Sequence, residues 1–346
     1  MPYEVAIIGD NFMRPELFAD AIVQRLGDQV RVRAMALPWP DEPMCHGYAG
    51  NALAGLREYQ GEPSAIEAFV ADAPILVTQL APVSGVMLDR MTGLKLIAVS
   101  RGGPVNIDIA AARARGVRVV NTPGRNASAV AEFTIGAILA ETRLLRAGHE
   151  ALRRGEWRGD LYRADLTGRE LGELTVAVIG YGHVGTRLVR LLRPFGCRVL
   201  VCDPYVQLSR EDVEAGVEHV ALDRALAEAD VVTLHARVTP ETTGMIGADA
   251  FAAMRPGAYF INTARGPLVD YDALLAALEG GQLSGAALDT FAVEPVPPDW
   301  PLLRLPNVLL TPHIAGASVR TVHVAAAGAA EEVRRFIAGE PPLNPC

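Results

Sequence analysis

The feature that most constrains the fold is a glycine pattern placed directly after an apolar run. Residues 174–179 form the run, and Gly180, Gly182 and Gly185 follow with the spacing G-x-G-x-x-G. The first glycine permits a tight strand-to-helix turn, the second lets the backbone approach a pyrophosphate, and the third allows close packing of helix on strand. The N-terminus of the following helix adds N–H donors and positive potential for phosphate. The pattern therefore predicts a dinucleotide-binding strand–turn–helix unit.

An acidic residue closes the next predicted strand. Asp203 follows the apolar segment 199–202, close to the spacing of roughly 20 residues expected after the glycines. A carboxylate there can bind both ribose hydroxyls and repels a 2′-phosphate, and no arginine occurs within the next five residues. The sequence therefore favours NAD over NADP. The residues expected to bind the cofactor here are Gly180, Gly182, His183, Val184, Gly185 and Asp203.

Short β-branched runs alternate with longer amphipathic stretches along the chain. A first series predicts strands at 5–8, 30–35, 75–78, 94–99 and 117–121, with helices near 15–26, 63–71, 84–92 and 106–115. A second series predicts strands at 174–179, 197–202, 217–220, 231–235, 258–262, 284–288 and 307–310. This alternation indicates parallel sheets covered on both faces, and the strands are too many for one sheet. We expect two α/β domains.

Three further segments bear on domain organisation. The stretch 126–146 is helix-forming and largely apolar, and 316–339 predicts a helix long enough to carry the chain back to the first domain. The segment 38–61 is rich in proline and glycine, which predicts a long loop that covers an active site.

Composition excludes several classes of function. The 346 residues exceed one typical core, and the net charge of −8 argues against nucleic-acid or anionic-membrane surfaces. The four cysteines form no C-x-x-C pair, which favours a reducing compartment. The N-terminus lacks a basic region, and no stretch approaches the roughly 20 apolar residues of a membrane span, so a cytoplasmic location is expected. No cluster of residues has metal-ligand spacing.

Lysine is almost absent from the chain. Lys95 is the only one, and no P-loop sequence occurs. Schiff-base chemistry could therefore rest only on Lys95, which the pattern places inside the predicted core strand 94–99.

Three charged residues follow the glycine pattern in order. Arg265 comes after the predicted core strand 259–262, where a guanidinium can grip a carboxylate bidentately and polarise the adjacent carbonyl. His313 ends the strand 308–311 and can give a proton to an alkoxide near neutral pH. Glu294 would hold the imidazole in one tautomer and favour its protonated form. The alternatives are a structural ion pair, a structural histidine and a solvated loop acid. Together with a dinucleotide fold, the three predict hydride transfer to an α-keto acid.

These motifs give the chain a plain family resemblance. It resembles the D-isomer-specific 2-hydroxyacid dehydrogenases, close to the phosphoglycerate-dehydrogenase-like branch. The matching segments are the glycine pattern, 99–103 with Asn106 and Asp108, 119–126, 129–132, 234–235, 239–242, 262–266, 285–289, 294–295 and 311–313. The resemblance implies a Rossmann NAD-binding domain at 124–311, inserted into a flavodoxin-like substrate domain formed by 1–123 and 312–346. It places the substrate in the cleft between them.

The resemblance also implies roles for individual residues. Hydride would move between the nicotinamide of NAD and C2 of a D-2-hydroxy acid or 2-keto acid, with Arg265 on the carboxylate and His313–Glu294 as the acid/base pair. The expected substrate-binding residues are Arg101, Gly102, Gly103, Arg265 and His313. The further expected cofactor contacts are His235, Ala236, Thr263, Ala264, Arg265, Asp289, His313 and Gly316. A homodimer joined through the apolar helix 127–145 is expected, with no nucleic-acid or membrane partner.

Two other functions on this fold remain open at this stage. One is a formate- or phosphite-type dehydrogenase, although the formate enzymes have glutamine where this chain has Glu294. The other is an NAD-sensing protein like the transcriptional corepressors, which retain the same three charged residues. Arg237 stands where the family has other residues, and it is either a substrate contact or a surface arginine at the cofactor edge. The residues 38–61 and 78–82 are expected to select the acid, which the sequence does not identify.

Overall fold

The computed structural model describes residues 1–38, 53 and 55–346. Within it the chain divides into two compact units, one of Met1–Asn126 with Ser318–Cys346 and one of Ala127–Ala317. Most of the predicted loop 38–61 lies outside the described residues, because 39–52 and 54 are not among them.

The first unit is built on a parallel sheet. Its strands are β1 (Tyr3–Gly9), β2 (Val30–Ala36), β3 (Ile75–Thr78), β4 (Leu96–Val99) and β5 (Arg118–Asn121). They lie in the order β2-β1-β3-β4-β5, the flavodoxin-like arrangement that the resemblance implied. One detail of the sequence interpretation is wrong: β4 begins at Leu96, so Lys95 precedes the strand and is exposed. Its side chain is not part of the core.

The second unit contains a seven-stranded parallel sheet. Its strands are β6 (Thr175–Ile179), β7 (Arg198–Cys202), β8 (Glu218–His219), β9 (Val231–Leu234), β10 (Ala258–Asn262), β11 (Leu283–Leu288) and β12 (Val308–Leu310). The order β12-β11-β10-β9-β6-β7-β8 is the Rossmann order with a seventh strand added at one edge. The strand order reverses between β6 and β9. Ligands of open α/β sheets bind outside the carboxyl ends of the strands at such a reversal.

Helices cover the faces of both sheets. Those of the first unit up to its interruption are α1 (Pro15–Leu26), α2 (Pro63–Val70), α3 (Gly85–Arg90) and α4 (Ile109–Ala114). Those of the second unit are α5 (Ala127–Thr142), α6 (Leu145–Arg153), α7 (His183–Leu192), α8 (Arg210–Glu214), α9 (Leu222–Glu228), α10 (Ala248–Ala253) and α11 (Tyr271–Glu279). The last helix, α12 (Val319–Ile337), belongs to the first unit.

The single helix expected over 126–146 is two helices. Leu144 adopts a left-handed conformation with φ 57°, which interrupts the helical hydrogen-bond ladder between α5 and α6. The last helix behaves as its pattern predicts: Val322, Ala326 and Ala330 recur at helical spacing and pack in one hydrophobic cluster with Phe18 and Ile22 of α1. Among the described residues, no helix is both long and apolar enough to cross a membrane.

Candidate active site

The glycine turn after β6 is shaped by two close approaches of the backbone. A Cβ on Gly180, whose φ is 102°, would lie 2.6 Å from the carbonyl carbon of His235. A Cβ on Gly185 would lie 2.0 Å from the carbonyl oxygen of Gly180. Gly182 differs, because a Cβ there would meet nothing within 4 Å. The first and third glycines therefore close the strand–helix junction, and the middle one leaves open space beside the N-terminus of α7. That space fits the pyrophosphate of a dinucleotide.

Asp203 organises the same edge of the sheet. Its Oδ2 accepts a hydrogen bond of 2.8 Å from the backbone N–H of Tyr181 in the glycine turn. Its Oδ1 accepts from the N–H groups of Tyr205 and Val206 at 2.9 and 3.1 Å. The carboxylate thus links the turn after β6 to the turn after β7, where the sequence pattern places the ribose. Its ribose contact stays a prediction.

His235 follows β9 and lies against this turn. Its backbone N–H donates to the carbonyl of Ile179 at 2.7 Å, and its Nε2 is 3.0 Å from the Thr233 hydroxyl. Burial lowers the pKa of His235 to about 3. The imidazole is therefore neutral across the physiological range, which suits a wall of a cofactor pocket and not an acid that donates a proton near neutral pH.

Arg265 lies in a loop fixed by a buried asparagine. Asn262 ends β10 and is fully buried; its Oδ1 accepts from the N–H of Ala264 at 3.1 Å, and its Nδ2 donates to the carbonyl of Arg265 at 3.1 Å. The hydroxyl of Thr263 lies 2.9 Å from that of Thr134 on α5. Loss of water around the guanidinium lowers the pKa of Arg265, and the nearby Glu294 carboxylate opposes this shift.

Gly266 brings the Arg265 loop against the loop that carries Glu294. A Cβ at Gly266 would lie 1.9 Å from the carbonyl carbon of Phe291 and 2.3 Å from the nitrogen of Ala292. Real Cβ atoms do not approach backbone so closely, so only glycine permits this packing. The Arg-Gly dipeptide of the sequence therefore has a second purpose, namely to bring the cation and the carboxylate near each other.

Glu294 and His313 form a direct pair. His313 Nδ1 lies 2.8 Å from Glu294 Oε2, and the other oxygen, Oε1, accepts from the backbone N–H of Phe291 at 2.8 Å. The Glu294 side chain is only 15% exposed, whereas that of His313 is 32% exposed. The carboxylate is thus held at both oxygens and is less exposed than the imidazole to which it is bonded.

The turn that carries His313 is held by Asp289. This buried carboxylate accepts hydrogen bonds from the Thr311 hydroxyl at 2.7 Å, from Ile314 N–H at 2.8 Å and from Ala315 N–H at 2.9 Å. Burial raises the pKa of the Asp289 carboxyl, and these hydrogen bonds oppose the shift. His313 itself has φ 54°, an uncommon conformation for a residue with a side chain. Asp289 therefore positions the acid/base candidate, and its predicted contact with the cofactor stays a prediction.

The first unit carries the predicted loop of backbone donors. Gly102 and Gly103 are exposed after β4, and neither N–H has an acceptor in the part of the chain that the structure describes. The Arg101 side chain, in contrast, pairs with Glu58. The loop is thus free to donate through its glycines, and the Arg101 side chain is already engaged.

The structure also shows where the remaining predicted residues of the second unit lie. Val184 and Ala236 are half-buried at the glycine turn and after β9, Thr263 and Ala264 are buried in the Arg265 loop, and Gly316 ends the His313 turn. His183 is exposed at the start of α7. Arg237 is exposed, and its carbonyl accepts from the Thr242 hydroxyl at 2.7 Å; whether it contacts substrate stays a prediction. In residues 1–38, 53 and 55–346, no group of three or more His, Cys, Asp or Glu could hold a metal ion.

Sequence reasoning missed the residues that hold these loops in place. Asn262 and Gly266 were seen only as parts of a motif, and Asp289 was expected to face the cofactor. Glu58 was not noticed at all. A signal existed for Asn262, because a polar side chain at the end of a buried strand needs hydrogen-bond partners nearby. Glu58 offers no such signal, since its partner is 43 residues away in the chain.

The comparisons with known proteins agree with this geometry. Residues 135–315 match a family model described as "D-isomer specific 2-hydroxyacid dehydrogenase, NAD binding domain". The chain is 36% identical over 340 residues to D-3-phosphoglycerate dehydrogenase of Mycobacterium bovis, an alignment that covers 98% of this chain and 58% of that protein. It is 39% identical over 256 residues to glyoxylate reductase of Thermofilum pendens, covering 74% of this chain and 76% of that one.

A solved structure is similar over the full length. A protein of Thermus thermophilus aligns with a TM-score of 0.78 and 31% identity, covering 99% of each chain. The chain spans only 58% of the length of the phosphoglycerate dehydrogenases that it matches.

The two glycines that differ in free space give a matched pair of variants. Gly182→Ala should leave the melting temperature nearly unchanged yet weaken NADH binding, because the new methyl group occupies the space where phosphate approaches the backbone. Gly185→Ala should destabilise the protein by about 1–3 kcal/mol or more, because its methyl group collides with the Gly180 carbonyl. Thermal unfolding and NADH fluorescence titration separate the two effects. Tight NADH binding by Gly182→Ala would remove the turn from its assigned role.

Proposed function

The chain belongs to the D-isomer specific 2-hydroxyacid dehydrogenase family, and we propose on that premise that it interconverts a 2-keto acid and a D-2-hydroxy acid with NAD(H). The single observation that carries the proposal is the His313–Glu294 pair at 2.8 Å, held beside the Arg265 loop by the close approach at Gly266. The second unit, Ala127–Ala317, is proposed to bind the cofactor, and the first unit to contribute to substrate binding. A cytoplasmic location stays a prediction from cysteine usage.

Arg265 is proposed to bind and orient the substrate. Its planar guanidinium can hold a carboxylate through two parallel hydrogen bonds and at the same time polarise the adjacent carbonyl. NAD(H), when bound, supplies or accepts the hydride at C2. The Asn262 hydrogen bonds fix the backbone of the loop, so that the guanidinium is presented without much ordering on binding.

His313 is proposed to move the proton. When C2 gains a hydride, the carbonyl oxygen becomes an alkoxide and takes a proton from the imidazolium; in the reverse direction the neutral imidazole removes it. Glu294 accepts from Nδ1 of His313, which leaves Nε2 as the nitrogen that exchanges the proton with substrate. This hydrogen bond also holds the ring in one orientation.

Of the two alternatives, only the formate-type enzyme fits the residues less well. A formate-type enzyme would have glutamine in place of Glu294, whereas here a carboxylate accepts the hydrogen bond from the imidazole, which supports acid/base chemistry. An NAD-sensing protein would need no turnover at all. An assay of NADH oxidation with a panel of 2-keto acids separates these functions. Only the proposed dehydrogenase oxidises NADH when a 2-keto acid is added.

Two substitutions test the assigned roles of His313 and Arg265. His313→Asn should lower the rate of 2-keto acid reduction by about 10²–10⁴, while NADH affinity stays nearly intact. Arg265→Lys should lower kcat/KM by about 10²-fold, because an ammonium group cannot reproduce the bidentate geometry. Single-turnover kinetics with a separate NADH titration measure both. An active His313→Asn enzyme would overturn the mechanism.

Glu294→Gln tests the partner of the imidazole. The amide keeps the shape of the carboxylate and its oxygen can still accept a hydrogen bond from His313 Nδ1, so the ring should keep its orientation. We expect this variant to reduce 2-keto acids more slowly than wild type but faster than His313→Asn, with NADH affinity nearly unchanged. Single-turnover kinetics with a separate NADH titration measure both quantities. A variant as fast as wild type would remove Glu294 from its assigned role.

Asp203 should make the protein prefer NAD(H) to NADP(H). A 2′-phosphate at this edge of the sheet would face a carboxylate already fixed by three backbone N–H groups. Comparing kcat/KM for the two cofactors tests the preference, and Asp203→Asn is the matched variant because its amide oxygen can retain some of the turn's hydrogen bonds. In Asp203→Asn the ratio of kcat/KM for NAD(H) to that for NADP(H) should fall by about tenfold. Equal use of both cofactors by wild type would refute the assignment.

We also propose that the protein forms a homodimer through the second unit. The helix α5, expected to form the interface, buries half of its residues within its own unit. The exposed apolar side chains lie just beyond it: Trp157 is 85% exposed, Tyr162 95% and Leu152 58%. Large aromatic side chains that are so exposed on one segment indicate an interaction surface. The proposed partner is a second copy of this chain.

The exposed segment gives a direct test of the dimer. Wild type should have the mass of a dimer at micromolar concentration by light scattering. Trp157→Glu with Tyr162→Glu should shift it to monomer, because each substitution replaces an aromatic contact of the proposed interface by a buried charge. Tyr205→Glu is the matched control, since Tyr205 is 86% exposed elsewhere in the same unit. A monomeric wild type, or equal effects of both substitutions, would contradict the proposal.

A further inference from the structure

We infer that Glu58 limits the substrate to acids with a single negative charge by neutralising Arg101 beside the Gly102–Gly103 loop. The inference rests on the proposed function and deepens it, because it assigns a residue that selects the class of 2-keto acid. All of the residues that carry it lie in the first unit.

Arg101 is the cation closest in sequence to the proposed carboxylate donors. Its side chain is 12% exposed, and its guanidinium pairs with the Glu58 carboxylate. A second hydrogen bond of 3.1 Å joins Arg101 Nη1 to the Glu58 backbone carbonyl. The Arg101 guanidinium therefore contacts both the side chain and the main chain of Glu58. These two contacts fix the Glu58 carboxylate beside the Gly102–Gly103 loop.

The segment that contains Glu58 is tied down on both sides of it. The backbone N–H of Arg57 donates to the carbonyl of Val105 at 3.0 Å, and that of Gln60 donates to the carbonyl of Leu80 at 3.0 Å. Glu58 itself has φ 49°, an uncommon conformation for a residue other than glycine, which persists only where the surroundings hold it. The pair is thus a fixed element that flanks the loops after β3 and β4, unlike a mobile surface ion pair.

The Gly102–Gly103 loop is braced from the opposite side. Asn121 Nδ2 donates to the carbonyl of Gly102 at 2.9 Å, and Thr122 N–H donates to that of Arg101 at 3.1 Å. One carboxylate can accept from the two exposed glycine N–H groups. A second anionic group on the same substrate would meet Arg101 only together with Glu58, whose charge cancels the attraction and adds repulsion.

The neighbouring loop after β3 carries no charge that would offset this. Residues 78–82 are Thr, Gln, Leu, Ala and Pro. The amide of Asn106 holds this loop by donating to the carbonyls of Gln79 and Ala81 at 3.2 and 2.8 Å. This loop itself is therefore polar but neutral, which suits a 2-keto acid whose remaining part is uncharged.

The test compares two sets of 2-keto acids. Pyruvate, glyoxylate and hydroxypyruvate carry one negative charge, whereas 2-oxoglutarate, oxaloacetate and 3-phosphohydroxypyruvate carry more. Wild type should prefer the first set in kcat/KM. Glu58→Gln should raise kcat/KM for the second set by about tenfold or more and change the first set by less than about threefold, since like-charge repulsion of this kind is worth factors of that size.

Two further variants secure the interpretation. Glu62→Gln removes the same charge four positions along from an exposed site and should leave the ratio between the two sets unchanged. Arg101→Gln leaves Glu58 without this cation and should lower kcat/KM for the second set further relative to the first. This variant tests the inference even if Glu58→Gln does not fold. Adding Arg101→Gln to Glu58→Gln should remove the gain.

The outcomes separate this inference from the function on which it rests. If wild type reduces some 2-keto acid but prefers the multiply charged set, or if Glu58→Gln leaves the ratio unchanged, the role of Glu58 is overturned and the proposed function stands. If wild type reduces none of the acids, the proposed function fails. Calorimetric affinities for 2-oxobutanoate and 2-oxoglutarate then decide the role of Glu58, and equal ratios in wild type and Glu58→Gln would overturn it.

Discussion

The contact on which the candidate site depends is between two stretches of backbone. At Gly266 the chain passes so close to Phe291 and Ala292 that no side chain can stand between them. This approach draws together the loops after β10 and β11, which carry Arg265 and Glu294. The nearness of that arginine to that carboxylate follows from this backbone packing, and the charge of Glu294 in turn favours the charged form of Arg265.

Much of the fold follows from the sequence. The alternation of β-branched and amphipathic stretches predicts both sheets, and the glycine pattern places the cofactor turn at the point where the strand order reverses. The boundary within the helix 126–146 does not follow, because Leu144 is a good helix former and nothing local predicts its left-handed conformation. The start of β4 does not follow either. Lys95 stands at the edge of an apolar run, and the pattern alone does not say whether the strand begins before or after it.

The sequence predicts the chemical groups of the site but not the residues that hold them in place. Arg265, Glu294 and His313 stand out because cation, carboxylate and imidazole follow strand ends in one order. The geometry adds what holds them: Asn262 under the arginine loop and Asp289 under the histidine turn. Such partners cannot be read from spacing, since their function depends on which loop ends meet at the sheet edge. The pairing of Glu58 with Arg101 is the extreme case, because it joins segments separated by two strands.

The grip of Asp289 on the turn after β12 has a consequence for how this protein could be remodelled. Its carboxylate joins the last two strands of the seven-stranded sheet through side chain and main chain at once. The position of the imidazole therefore depends on the register of β11 on β12 and not on the length of the loop between them. A change in loop length beyond Glu294 can therefore leave the imidazole in place, whereas Phe291, Ala292 and Glu294 stay bound to their positions by the approach at Gly266 and the bond to His313.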